Sequence, residues 1–501
     1  MDTAAPASTR PAYEALARSE QQIFHLTHFS QMASWDRAAM MPPKGNEARA
    51  AAEAELEGMI HRLRTDPQRA KLLESARTEP LDELERANLD EMRRLYLQSS
   101  VPGSLVERQV VASARCEHAW RTQRFANDWK GFLPNLIEVV ALAREESRHL
   151  SQALGVPPYE ALMERFEPGM TCEKLDRLFG DLASWLPPVI ERVRAKQARE
   201  DVVAPRGPFP VERQRALSLA VLRLLGFDFD QGRLDVSAHP FCGGVPDDVR
   251  LTTRFSEDDF TRALMSSIHE CGHGRYNQNL PRAWRGQPIG HSRSSAIHES
   301  QSLAFEMQLA RSPAFVGLLA PLVREAFGDQ PAFETANLER LFTRVNPENR
   351  IRVAADELTY ALHVILRYRI ERALIEGTIA CADIPAMWDE SMQSLLGLDT
   401  RGDYKDGCMQ DVHWGTGLFA YFPTYTLGAL YAAQWFASIR ARHPDLDARV
   451  ATGDLVPVFD WLRDNIWSQG RRWPSHELAR RATGSDLDPA HFRRHLESRY
   501  L

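Results

Sequence analysis

The pentapeptide His269-Glu270-Cys271-Gly272-His273 sets two imidazoles four residues apart with a carboxylate beside the first. On a helix, positions i and i+4 share a face, so both rings can reach one metal ion. Glu270, between them, is placed to take a proton from water activated at that metal. This is the H-E-x-x-H arrangement of zinc sites. If the two histidines were merely solvated, Gly272 would be a needless weakener of the helix.

A catalytic zinc needs a third protein ligand and an open position for water. Twenty-six residues beyond His273 stands Glu299, within Ile297-His298-Glu299-Ser300-Gln301-Ser302. Ile297, Leu303, Phe305 and Leu309 read as the apolar side of a second helix, whose carboxylate is a natural third ligand. His298 competes for the role. Adjacent helical residues point about 100° apart, so only one of the two faces the metal. Spacing leaves that choice open.

The elements that must hold these residues are also legible. Ser256-Glu257-Asp258-Asp259 reads as a helix N-cap with acids in the first turn, and the helix then runs through Phe260, Leu264 and Ile268 to the histidines. Upstream, Asp235 to Phe255 contains His239-Pro240-Phe241, Gly243 and Gly244, then alternation at Val249, Leu251 and Thr253, which predicts a small β element, expected to be antiparallel. Nearly everything else has helical periodicity, as in Ala48 to Leu63 and Leu136 to Leu150. The segments Met41 to Gly45 and Glu167-Pro168-Gly169 read as turns. Residues 1–12 read as a loose tail and 13–501 as one helical unit, with a soft boundary near residue 230 should it form two lobes.

Composition narrows the function. Among 501 residues, 61 Lys+Arg stand against 68 Asp+Glu, a net charge of −7, which argues against a nucleic-acid or anionic-membrane surface. The six cysteines form no C-x-x-C pair, which excludes a cysteine zinc ribbon and gives no disulfide framework. Met1 to Pro6 shows no basic region followed by an apolar run, so the expected compartment is the cytoplasm. Gly417 to Ile439 is uncharged and long enough to cross a bilayer, but Pro423 and Gln434 lie within it and no second span accompanies it. It reads as a buried helix.

Taken together, the motifs resemble the carboxypeptidase Taq family of H-E-x-x-H metallocarboxypeptidases over nearly the whole chain. The resemblance begins at Ser34-Trp35-Asp36 and Met41-Pro42-Pro43 and passes through Tyr159 and Glu167-Pro168-Gly169-Met170. A D-x-R-x-T pattern falls at Asp248 to Thr252, the zinc motif at His269 to His273 and H-E-S-Q at His298 to Gln301. I-R-x-x-A-D falls at Ile351 to Asp356 and G-x-x-Q-D-x-H-W at Gly407 to Trp414, followed by Tyr421-Phe422-Pro423-Thr424-Tyr425. The resemblance implies His269, His273 and Glu299 as metal ligands and Glu270 as general base. It also implies a large, almost all-helical peptidase fold with a deep central groove, a small sheet beside the zinc, and a homodimer. Two departures bear on substrate preference: Leu303-Ala304-Phe305-Glu306-Met307 replaces the usual basic residue and Trp-Glu-Asn run, and Arg350 stands where an apolar residue is expected.

A carboxypeptidase must bind a free terminal carboxylate, for which a bidentate arginine is suited. Arg352 matches the family position and Arg350 is the second candidate. Asp356, four residues beyond Arg352, would orient it, although that spacing is also that of an ordinary helical ion pair. His413 and Tyr425 are candidates to stabilise the oxyanion that develops on the scissile carbonyl. Asp248, Arg250 and Thr252 read as a strand able to pair with an extended peptide. Gln410 and Asp411 are read as supports for a zinc-bound histidine, and Cys271 and Cys408 as small buried residues.

The expected protein is therefore a zinc-dependent carboxypeptidase that releases single residues from peptides with a free C-terminus. Cobalt or manganese could substitute in the same ligand set. Neither nucleic acid nor membrane is an expected partner. The competing readings are a zinc oligopeptidase cleaving internal bonds and a catalytically silent helical scaffold.

Overall fold

The computed structural model describes residues 9–501. The first helix, Pro11–Ala39, starts with its proline in the opening turn, where a missing N–H leaves no bond unmade. The backbone N–H groups of Ala12 and Tyr13 donate to the Glu79 carboxylate at 2.8 and 2.9 Å, so this helix starts within the stretch expected to be loose. The rest of that tail, residues 1–8, lies outside the described residues.

The fold is almost entirely helical. The N-terminal helices gather around Leu16, Leu73, Ala76, Leu89 and Met92, while a second, much larger buried cluster runs from Val101 to Tyr500. Most of the uncharged stretch, from Pro423 to Ile439, lies in the helix Pro423–Arg442, with Leu427, Leu430, Tyr431 and Trp435 buried in that large core. Its buried amide is satisfied: Gln434 Nε2 donates to Thr483 Oγ1 at 2.8 Å and to the Asp486 carbonyl at 3.0 Å. Among the described residues no helix is long and apolar enough to cross a membrane.

Three short strands form the only sheet among the described residues: β1 (Gly232–Val236), β2 (Phe241–Val245) and β3 (Asp248–Thr253), in the order β1-β3-β2. β2 and β3 pair antiparallel, as expected, with Cys242 opposite Leu251. β1 joins the other edge of β3 in parallel, with Leu234 opposite Leu251, so the sheet is mixed rather than wholly antiparallel. Alternation in β3 could not reveal this, because the side-chain pattern is the same for either partner direction.

β3 lies along the helix that carries the metal motif, Phe260–Gln278. Thr253 Oγ1 donates to the Ala263 carbonyl at 3.2 Å. That helix is capped by Asp259, the last of the four polar residues, whose carboxylate accepts the Thr261 N–H at 2.8 Å.

The helix carrying Glu299, Ser295–Leu303, starts at the Ser294 cap and passes directly into a π-helical stretch, Ala304–Ala310. It is clasped between two helices that approach through glycine. A Cβ on Gly272 would stand 2.3 Å from the Gln301 carbonyl oxygen, and one on Gly428 would stand 2.7 Å from Cγ of Glu299. Gly272 thus costs the motif helix some intrinsic stability and in return lets the two backbones touch. Trp435 Nε1 donates to Ser300 Oγ at 3.0 Å and Trp467 Nε1 to Gln301 Oε1 at 2.8 Å, which fixes the residues after Glu299 from the far side.

Candidate active site

Nε2 of His269 and Nε2 of His273 lie 3.7 and 3.3 Å from the same Glu299 oxygen, Oε2. One donor atom from each of the three residues falls within 4.8 Å of the others. The far side of each ring is tied down. His273 Nδ1 meets the His298 carbonyl at 3.0 Å, and because a carbonyl only accepts, that nitrogen carries the proton. His269 Nδ1 meets the Glu306 carboxylate at 2.9 Å and carries its proton for the same reason. Both Nε2 atoms face Glu299, and a metal ion binding there would displace any proton they carry and take up their lone pairs. Ser302 Oγ donates to Glu299 Oε2 at 3.1 Å.

Three carboxylates, from Glu270, Glu299 and Glu306, crowd around two imidazoles in a partly buried spot. Burial opposes the charge on Glu299, yet the two histidines hold it at about 2. Burial also opposes charge on His269, yet Glu299 and the Glu306 hydrogen bond raise it to about 10. Glu270 is 7% exposed, and burial pushes its carboxyl above the usual range. Such a cluster demands positive charge. Two neutral nitrogens and one carboxylate oxygen suit a borderline divalent ion such as zinc, so the residues fit the group.

The structure brings Glu299, not His298, to the two motif histidines. The His298 ring stacks on His273 with centroids 4.4 Å apart, and its Nε2 bonds Asn277 Oδ1 at 3.1 Å.

A second cluster surrounds Arg352, which is 4% exposed. Its Nε and Nη2 donate to Asp411 Oδ1 at 3.1 and 2.8 Å, and Nη1 donates to Tyr360 Oη at 2.7 Å. Its Cζ lies 5.2 Å from the ring centres of both Phe422 and Tyr425. Asp411 Oδ2 accepts from Arg367 Nε at 2.6 Å. Burial raises the Asp411 pKa, but Arg367 and Arg352 outweigh it and hold the carboxyl well below its usual range.

Two expected supports are corrected here. Asp356 does not orient Arg352; it accepts the N–H groups of Leu358 at 3.1 Å, Thr359 at 3.0 Å and Asn346 at 3.1 Å. The i,i+4 pairing fails because Arg352–Ala354 is a single 3-10 turn, not a helix. Gln410 and Asp411 support arginines instead of histidines: Gln410 Oε1 accepts the Arg352 N–H at 2.7 Å, and its Nε2 donates to the Arg350 carbonyl at 2.9 Å. Arg350 itself is less buried and reaches Asp403 at 3.2 Å.

His413 packs 4.5 Å from the Phe422 ring, and burial lowers its pKa to about 4, so the ring is neutral near pH 7. Tyr425 meets Tyr421 and Tyr360 edge-on at 5.2 and 6.0 Å. Burial pushes the Tyr421 hydroxyl up to about 12, and the nearby Glu299 charge adds to this; the same two causes raise Tyr360 and Tyr425. The tyrosines thus pack around Arg352 within electrostatic reach of Glu299.

The sequence profile of the carboxypeptidase Taq (M32) metallopeptidases matches residues 15–500. The chain belongs to this family. It is 38% identical to thermostable carboxypeptidase 1 of Thermus thermophilus, over 98% of both chains. It is 33% identical to carboxypeptidase 1 of Bacillus subtilis, over 96% of both chains. Among solved structures, that of Trypanosoma cruzi metallocarboxypeptidase 1 superposes with a TM-score of 0.96 at 46% identity, covering 98% of this chain and all of that one. The protein is a metal-dependent carboxypeptidase, a hydrolase of C-terminal peptide bonds.

Several residues of this carboxypeptidase's site carry no readable signal in the sequence. Glu306 falls in a stretch noted above only as a departure. It binds His269 with one oxygen and Arg311 Nη2 with the other, at 2.7 Å. Glu306 and Arg311 are five residues apart, a spacing that an α-helix turns to different faces and a π-helix brings together. Arg499, from the last helix, donates to the Met307 and Gln308 carbonyls and steadies that stretch. The substitution Glu306→Ala is expected to weaken metal binding about 10–100-fold while helical circular dichroism is retained. Metal retained after dialysis against graded chelator measures this, and wild-type retention would show that His269 needs no such support.

Glu371 is likewise silent in the sequence. Fully buried, it accepts from Tyr159 Oη at 3.0 Å, Trp414 Nε1 at 2.9 Å and the Ala420 N–H at 3.1 Å. Ala420 sits at φ 62°, a left-handed conformation rare for alanine. One carboxyl thus fixes both ends of the loop between His413 and Tyr421.

Proposed function

We propose that this carboxypeptidase uses zinc held by His269 Nε2, His273 Nε2 and a Glu299 oxygen, and releases single residues from peptides with a free C-terminus. Zinc bound there supplies a Lewis acid that brings the pKa of water towards neutrality. Glu270 takes the proton from the attacking water on its carboxylate and hands it to the leaving amine. The low exposure of Glu270 favours this, since a carboxyl raised towards neutrality both accepts and returns a proton readily. Arg352 grips the terminal carboxylate, with Asp411 and Tyr360 holding the guanidinium plane in place. Tyr425 and the neutral His413 are hydrogen-bond donors for the carbonyl oxygen as it gains charge.

The convergence of the three donor atoms of His269, His273 and Glu299 beside the buried carboxyl of Glu270 is the observation that carries this reading. Cobalt or manganese can replace zinc in such a ligand set. We read the enzyme as a cytoplasmic homodimer on the family likeness, and six free cysteines suit a reducing compartment.

The test is mass spectrometry of an N-acetylated peptide with a free C-terminus, incubated with zinc-loaded and chelator-treated protein. A ladder shortening one residue at a time from the C-terminus, absent after chelation, is the expected result. Cleavage at internal bonds would make the enzyme an oligopeptidase, and no cleavage of several peptides would leave a metal-binding scaffold.

A further inference from the structure

At the C-terminal end of the motif helix, a cavity of about 470 Å³ is lined by Arg275, Gln278, Asp228, Arg282, Arg463 and Ser468, among others. Three guanidiniums face it against one carboxylate. Arg275 is two residues past His273, and its surroundings are unusual. Its guanidinium Cζ lies 5.2 Å from the Phe459 ring centre and 5.3 Å from that of Trp467. No carboxylate lies within ion-pair distance of it among the described residues, and its Nε is buried without a hydrogen-bond partner. A guanidinium taken out of water costs free energy unless a counter-charge meets it.

The one carboxylate on the wall is already engaged. Asp228 accepts from Gln231 Nε2 and from the Asp230 N–H at 2.9 Å. Gln278 is also spent, donating to the Asp228 carbonyl at 2.7 Å and accepting its N–H at 3.1 Å. Arg282 has only a long contact to Gln231 at 3.5 Å. Arg463 pairs with Asp460 and Asp464 at 2.7 and 3.0 Å, and those two aspartates do not line the cavity.

We propose that this cavity binds a phosphate group, with Arg275 as its anchor and Arg282 and Arg463 completing the cradle. The guanidinium fork matches the oxygens of a tetrahedral oxyanion bidentately, and aromatic rings on its faces keep the fork from turning away. A phosphate also supplies Arg275 with a direct counter-ion, which Asp228 provides only from beyond ion-pair distance, without the bulk that would exclude it from a cavity of this size. The site is separate from the arginine cluster around Arg352.

The experiment titrates zinc-loaded enzyme with inorganic phosphate and, separately, with adenosine monophosphate. Calorimetry and tryptophan fluorescence read binding, Trp467 being the reporter beside Arg275, and sodium chloride of equal ionic strength is the control. The expected result is saturable binding that Arg275→Met weakens about tenfold or more, the loss of one charge-assisted contact, and that Arg352→Ala leaves unchanged. Tighter binding of one probe identifies the ligand as the free ion or as an ester. Should Arg275→Met fail to fold, the exposed Arg282→Gln is expected to weaken binding in the same direction. The proposal is overturned by absent saturation, by equal affinity in the folded cavity variants, or by loss of binding in Arg352→Ala.

Discussion

Replacing Glu270 with glutamine is expected to leave the metal in place and lower kcat by about 10²–10⁴, the range for removing a general base. The glutamine keeps the volume and one acceptor oxygen of the original side chain but cannot take up a proton. It also leaves all three donors, His269, His273 and Glu299, with their own partners: Glu306, the His298 carbonyl and Ser302. Metal content by elemental analysis and turnover on one peptide therefore separate cleanly. Wild-type turnover in a zinc-replete Glu270→Gln protein would remove this residue as the base. Loss of metal along with activity would mean that it helps to hold the ion.

The second large effect belongs to Arg352. Truncating one partner of a buried, hydrogen-bonded charge pair costs about 2–5 kcal/mol, or roughly 30- to 5,000-fold in kcat/KM if the lost partner is the substrate carboxylate. Arg352→Ala should show that loss on peptides ending in a free acid. On the same peptides ending in an amide, where the wild type too has no carboxylate for Arg352 to bind, the variant should be no worse than wild type. Asp411 keeps Arg367 as a partner in the variant, so the removed charge does not strand its counter-ion. An equal loss on acid and amide substrates would contradict the clamp and place Arg352 in the framework.

The metal motif was legible because its spacing is local. Four residues on one helix fix a shared face, and the apolar positions before it announce the helix. Glu299 was legible as one of two neighbours, and only the packing of two backbones through Gly272 and Gly428 turns it, rather than His298, towards the histidines. The supports depart from the expected pairings for a consistent reason. Arg352 with Asp356 looks like a helical pair, yet the chain there makes one 3-10 turn, and the true partner lies 59 residues away at Asp411. The parallel edge of the sheet escaped notice similarly, since pairing direction is set by the path between strands and leaves no trace in their alternation. Contacts within a turn or two of chain can be read from spacing. Those closed by tertiary packing, as for Glu306, Tyr360, Arg367 and Glu371, cannot.

The π stretch from Ala304 to Ala310 is one residue longer per turn of ladder than an α-helix would be. Removing a single residue there would let the ladder close in its stronger form, and the segment on its own would gain. It would also swing Glu306 out of line with Arg311, so His269 would lose the anchor behind it. Seven residues are kept in a looser winding than their sequence requires, held by Arg499 from the far end of the chain. Local winding is thus set against catalysis in the length of one backbone segment, and a deletion that tightened it would cost His269 its anchor.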